Sequence, residues 1–207
     1  MSRSVGANLV FAHPNHQPQI TQTGGKMDFP PPAKQRKSIR LKNYDYSNTG
    51  AYFITICIQH KHCLLGEVRD GAMQLNTAGR MVADHWLKIP SRFPQVILDE
   101  FVIMPNHIHG VIALPDKEDT VPGSSDVANY APLGRILQAF KSITTREYTA
   151  GVKARSWPSF PGKLWQRNYW DRVIRSETEL SLIREYIRNN PLQWALDKLY
   201  VAVEPEL

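Results

Sequence analysis

The sequence predicts an α+β domain built as a ferredoxin-like antiparallel sheet with helices mainly on one face. Three observations lead there. Strand-like segments come in pairs, helix-like segments stand singly between them, and no apolar run approaches the ~18 residues of a membrane helix. At 207 residues and 42% hydrophobic, the chain suits one domain with a tail.

Residues 1–37 read as a flexible N-terminal tail, proline-rich, basic and without periodicity. His13 and His16 belong to it and are read as tail residues rather than ligands. The folded domain spans 38–200, and 201–207 form a C-terminal tail. "AYFITICIQ" (51–59) is β-branched and aromatic, hence a strand. "CLLGEVRDGAMQLN" reads as a hairpin turning at "RDG". Residues 76–89 carry Met81, Val82, Leu87 and Ile89 between polar positions, with Asn76 or Thr77 as cap, and predict a helix ending before Pro90. "VILDEFVIMP" and "HIHGVIAL" predict two strands joined at Pro105–Asn106. An acidic, turn-rich loop follows over 115–132. Leu133, Ile136, Leu137, Phe140 and Ile143 then recur at helical spacing in 133–149. After a loop at 150–163, "LWQRNYWDRVI" is a short strand or extended segment. "ETELSLIREYIRNNP" is a helix that starts near Ser176 and stops at Pro191.

Charge is unevenly placed. The net charge is +6, and five basic residues with no acid fall within 34–42. Residues 132–190 hold eleven Lys/Arg against five Asp/Glu. That balance favours a polyanionic partner, with a merely solvated basic surface as the plainer alternative. The two cysteines, Cys57 and Cys63, lie six apart, which suggests neither a disulfide framework nor a four-cysteine zinc site. The N-terminus lacks a signal-peptide pattern. The expectation is a soluble cytoplasmic protein, away from the membrane, with both thiols free.

"VIMPNHIHGVIALP" (102–115) places His107 and His109 one residue apart in an apolar strand. Side chains alternate faces, so both imidazoles point the same way, with Cα atoms ~6.6 Å apart, while Ile108 points into the core. Both rings could reach one ion. Two neutral nitrogens leave positions for oxygen ligands and water, which suits Mg²⁺ or Mn²⁺, with Zn²⁺ also compatible. An ordinary pair of surface histidines is the alternative. On the last helix, Tyr186 and Asn190 lie four apart, near the face of Leu180, Ile183 and Ile187. They read either as a core tyrosine and a helix-ending asparagine, or as a phenol nucleophile and an amide oxygen presented to the histidines.

Taken in order, "SIRLKNYDY", "GAYFITIC", "MPNHIHG", "LWQRNYW" and "YIRNNP" resemble the REP-associated tyrosine transposases, which are single-tyrosine HUH (His–hydrophobic–His) transposases. The match runs over roughly residues 38–191. The resemblance implies His107 and His109 as metal ligands, Asn190 as a third, Tyr186 as the nucleophile, and Mg²⁺ or Mn²⁺ as cofactor. It implies a strand transferase acting on single-stranded or hairpin DNA through a 5′-phosphotyrosine, as a monomer or homodimer. Arg36, Lys37, Arg40, Lys141, Arg167 and Arg172 are then the expected phosphate contacts. Trp157, Trp165, Tyr169 and Trp170, interleaved with basic residues, are candidates for stacking on bases or for core packing. A non-catalytic nucleic-acid-binding module and a metal-dependent phosphodiester hydrolase are the alternatives on the same fold.

Overall fold

The computed structural model describes residues 50–114, 131–154 and 156–201. The basic segment with Arg36, Lys37 and Arg40, most of the acidic loop, and residues 202–207 lie outside them.

The alternation of β-branched and aromatic residues near position 50 becomes β1 (Gly50–Cys57). A hairpin follows, β2 (Gly66–Arg69) and β3 (Ala72–Leu75). Its two-residue turn has Asp70 at φ 50° and Gly71 at φ 73°, the left-handed pair that a tight hairpin needs and that Asp-Gly supplies with least strain. Helix α1 (Thr77–Leu87) starts where Asn76 accepts a hydrogen bond from the Gly79 backbone N–H, as the sequence predicts. The helix ends before Pro90, as the sequence predicts. A short turn, α2 (Ile89–Arg92), carries that proline at its start, where the missing N–H costs nothing. Strands β4 (Ile97–Ile103) and β5 (His107–Leu114) follow. Next come α3 (Leu133–Lys153), one turn longer than its apolar stripe predicts, β6 (Trp170–Ile174) and α4 (Glu177–Asn189).

The four longer strands form one antiparallel sheet in the order β4-β5-β1-β6. With α1 and α3 as the crossover helices, this is the ferredoxin-like arrangement. Both central strands, β1 and β5, are buried throughout, so they read as continuous apolar runs.

The sheet has two unlike faces. Tyr52, Ile54, Ile56, Ile108 and Ile112 meet α1 and α3 in the larger core, with Val82, Trp86, Leu137, Phe140 and Trp165. Gly110 lies under Trp86, and a Cβ there would come within 2.4 Å of the indole. Ala51, Phe53, Val111, Ala113 and Ile174 form a smaller cluster on the opposite face with Leu180, Ile183 and Ile187 of α4. Among the described residues, helices thus lie mainly on one face, and α4 covers the other.

Two ion pairs fasten α4 to β4. The register of β4 shifts between Leu98 and Phe101, and this bulge lets consecutive acids reach the helix. Arg184 donates to Asp99 through Nε at 2.8 Å and Nη2 at 2.6 Å, a two-pronged contact. One turn on, Arg188 lies 3.5 Å from Glu100.

Candidate active site

The site forms where the polar ends of β5 and α4 meet. Alternation along β5 sends Ile108 to the large core and both histidines to the α4 face, as the sequence predicts. His107 is fully buried and His109 is 4% exposed. Their ring centroids are 4.5 Å apart.

Each imidazole is oriented by a neighbour. Asn106, which the sequence offers only as a turn residue, donates through Nδ2 to the carbonyls of Lys61 (3.1 Å) and Leu199 (2.9 Å). Its Oδ1 is therefore the acceptor, and it lies 2.8 Å from His107 Nδ1. That nitrogen must carry the proton, which leaves the lone pair on Nε2. His107 Nε2 is buried with no hydrogen-bond partner. Thr55 faces His109 across the β1–β5 pair, and its Oγ1 is 2.8 Å from His109 Nδ1. Partners of this kind fix tautomer and ring angle in metal-binding histidines.

Burial, the main cause, pushes His107 down to about 3, with the Lys61 charge adding to it. Burial, then the neighbouring imidazole, also lowers His109 well below its usual range. Both rings are thus neutral at neutral pH, the form that ligates a metal.

Tyr186 is half-buried, packed against the Phe53 edge at 5.9 Å and the His109 ring at 5.3 Å. Its hydroxyl lies 3.3 Å from His109 Nε2. Burial, followed by the Asp197 charge, raises the phenol above its usual range, and a hydrogen bond with Asn190 opposes the rise. Asn190 is 2% exposed. Its Nδ2 donates to Asp197 Oδ2 at 3.2 Å, while its Oδ1 is buried without a partner.

Sequence reasoning missed Asp197. One oxygen of this carboxylate and one nitrogen from each of His107 and His109 lie within 4.8 Å of one another. Asp197 follows Pro191 in a stretch with no periodicity, so only its nearness in sequence to Asn190 could have drawn attention to it. The donor set fits a divalent cation. It offers two neutral imidazoles and a carboxylate, and one of the imidazoles, His107, has a buried Nε2 with no hydrogen-bond partner.

The basic and aromatic candidates divide. Arg167 is exposed on the loop before β6. Arg172 pairs with Glu179 at 2.7 Å. The Lys141 ammonium donates to three successive carbonyls, those of Gln166, Arg167 and Asn168, at 2.7 to 3.3 Å, so it fastens the loop that carries Arg167. Trp165 is buried and donates to Thr144 Oγ1 at 2.9 Å. Trp157 and Tyr169 pack against the large core. Trp170 pairs with Thr55, which pairs in turn with His109, so Trp170 stands in the same cross-strand row as that histidine. Both cysteines are free. No helix among the described residues is long and apolar enough to cross a membrane.

No protein-family model matches the chain. An uncharacterized protein of Haemophilus influenzae is 44% identical over 174 residues, spanning 80% of this chain and 93% of its own, and the two belong to one family. A second H. influenzae protein, named "Putative REP-associated tyrosine transposase", is 26% identical over 156 residues, 74% of this chain and 77% of its own. The fold is shared with the solved structure of a REP-associated tyrosine transposase bound to a REP hairpin. That match has a TM-score of 0.52 and 20% identity, and covers 78% of this chain and 77% of the other.

Proposed function

We propose that this chain, a relative of the REP-associated tyrosine transposases, is a DNA strand transferase. In this reading it cleaves and rejoins single-stranded or hairpin DNA through a 5′-phosphotyrosine bond, with Mg²⁺ or Mn²⁺ as cofactor. The observation that carries the reading is the placement of the Tyr186 hydroxyl 3.3 Å from His109 Nε2, beside a second imidazole nitrogen with no partner.

His107 and His109 would hold the cation, with Asn190 Oδ1 within the same donor set. A divalent cation there supplies positive charge that neutralises and orients the scissile phosphate. The chain's own residues do the rest. Phe53 and His109 flank the Tyr186 ring and so limit the directions from which its oxygen can approach phosphorus. The bond from Tyr186 Oη to phosphorus forms as the bond from phosphorus to the 3′-oxygen breaks. The phenol loses its proton, and the departing 3′-oxygen gains one and leaves as a 3′-OH. One phosphoester replaces another, so a second 3′-OH can reverse the step and no ATP is required. Burial raises the phenol's pKa further, so the proton has to leave Tyr186 as the bond to phosphorus forms.

Arg167 and Arg172 would track phosphates near the site, together with Arg36, Lys37 and Arg40 of the N-terminal segment. Lys141 would act there through the loop it holds. Trp170 is the aromatic best placed to stack on an unpaired base, being in the His109 row.

Incubation with end-labelled single-stranded hairpin DNA and Mn²⁺ tests the reading. The expected result is a protein–DNA band that survives denaturation. Cleavage without such a band would make water the nucleophile and the protein a metal-dependent hydrolase. Binding without cleavage would leave a binding module.

A further inference from the structure

After α4 the chain turns at Pro191 and runs back over the histidine end of β5. A short 3₁₀ turn (Trp194–Leu196) sets the buried Trp194 ring 5.8 Å from the His107 ring, and Tyr200 meets Trp194 edge-on at 5.3 Å. Two side chains from the body of the domain hold this strap by its carbonyls. Asn106 Nδ2 donates to Leu199 at 2.9 Å, and Lys61 Nζ donates to Lys198 at 3.0 Å. The same Asn106 orients His107, so one amide ties the strap to the ring.

Asp197 lies within the strap. Its Oδ1 accepts from the Leu199 backbone N–H at 2.6 Å, and its Oδ2 accepts from Asn190 Nδ2 at 3.2 Å. Among the described residues, no lysine or arginine forms an ion pair with it. A half-buried carboxylate thus faces two neutral imidazoles with no ion-pair partner among the described residues. A cation seated there would meet the carboxylate and both imidazoles at once.

We propose, building on the metal-dependent reading above, that Asp197 is a ligand of the cation held by His107 and His109. In binding it, residues 191–201 act as a clasp that seats the tyrosine helix. A carboxylate oxygen adds the hard, charged donor that Mg²⁺ and Mn²⁺ favour over an all-imidazole site. Asp197 also grips Asn190, one helical turn beyond Tyr186 on α4. Drawing the carboxylate onto the cation therefore fixes the end of α4, and with it the height of the phenol above the histidines. Asp197 is a ligand towards the cation and a positioning residue towards Tyr186. Metal occupancy and nucleophile placement become linked through the chain that follows the "YIRNNP" motif.

The test is Mn²⁺ titration by calorimetry on the full chain, with hydrogen exchange followed over 191–201 and the last turn of α4. The proteins are wild type, Asp197→Asn and His107→Ala. Wild type is expected to bind one Mn²⁺ and His107→Ala to lose it. Asp197→Asn keeps the side chain's shape and should bind at least about tenfold more weakly. Strap amides should exchange more slowly once Mn²⁺ is added to wild type, and that slowing needs no variant to be observed. If Asp197→Asn binds as tightly as wild type, or Mn²⁺ leaves strap exchange in wild type unchanged, the clasp is overturned while the histidine site stands. If wild type binds no Mn²⁺, the metal-dependent reading falls, and the clasp with it.

Discussion

The two faces of the sheet are built from alternate residues of the same strands, yet they follow opposite rules. On the α1/α3 face, β5 contributes Ile108, Gly110 and Ile112 to an extended apolar core. On the α4 face, it contributes Val111 and Ala113 to a small cluster and then His107 and His109 to a polar pocket. In that pocket His107 Nε2 is buried without a partner, as is Asn190 Oδ1 at the end of α4. A strand whose face runs two positions beyond its apolar cluster can thus carry polar side chains without interrupting the core behind it. The first face holds the fold together; the second carries the side chains that, in the proposed function, would meet a ligand.

Perturbing each face in turn tests this division, beginning with the largest effect. Trp86→Ala empties the centre of the large core and should cost about 3–5 kcal/mol in urea unfolding. A loss as small as that of a surface change would move the core elsewhere. Mn²⁺ should act on the other face alone. At about a hundred times its dissociation constant it should add about 2.7 kcal/mol to wild type and nothing to His107→Ala. Equal stabilisation of the two proteins would detach the cation from the histidines.

Acid should also select the α4 face in the metal-free protein. Burial holds His107 at about 3 in the fold and lowers His109 in the same direction, whereas unfolded imidazoles titrate near ~6.5. The unfolded chain therefore binds more protons between those values. Stability should be complete above pH ~6.5 and fall as the pH drops towards about 3, by up to about 1.4 kcal/mol per pH unit for each ring. Urea midpoints from pH 7 to 4 should show this slope, and His107→Ala should lose its share. The smallest effect belongs to the clamp outside the pocket. Asp99→Asn breaks a partly exposed pair and should cost under about 1 kcal/mol. It should nonetheless slow adduct formation, because Arg184 lies two residues before Tyr186. Unchanged adduct kinetics would show that α4 needs no such clamp.

What could be read from the sequence follows the same division. Strands β1 and β5, the Asp70–Gly71 hairpin and the stripe of α3 announce themselves through periodicity and turn chemistry, which are local. The histidine pair follows from strand alternation, and the Tyr186–Asn190 pair from helix spacing. Three features depend on distant contacts and carry no local signal. Asn106 reads as a turn residue until Lys61 and Leu199 fix its amide. Asp197 joins the site only because the chain folds back after Pro191. The Leu180, Ile183 and Ile187 stripe shows that α4 packs, but not that it packs opposite α1 and α3. Lys141 and Trp165 illustrate the converse, since a basic or aromatic residue near a proposed DNA surface can be committed to holding a loop or filling the core.

The most direct test of the account is to locate the covalent bond. Hairpin DNA reacted in Mn²⁺ is digested together with the protein, and the nucleotide-bearing peptide is sequenced by mass spectrometry. A 5′-phosphate linkage is expected on Tyr186, and no adduct from Tyr186→Phe, which keeps the ring and removes only the hydroxyl oxygen. A nucleotide found on Tyr169 or Tyr200, or an adduct that persists in Tyr186→Phe, would contradict it.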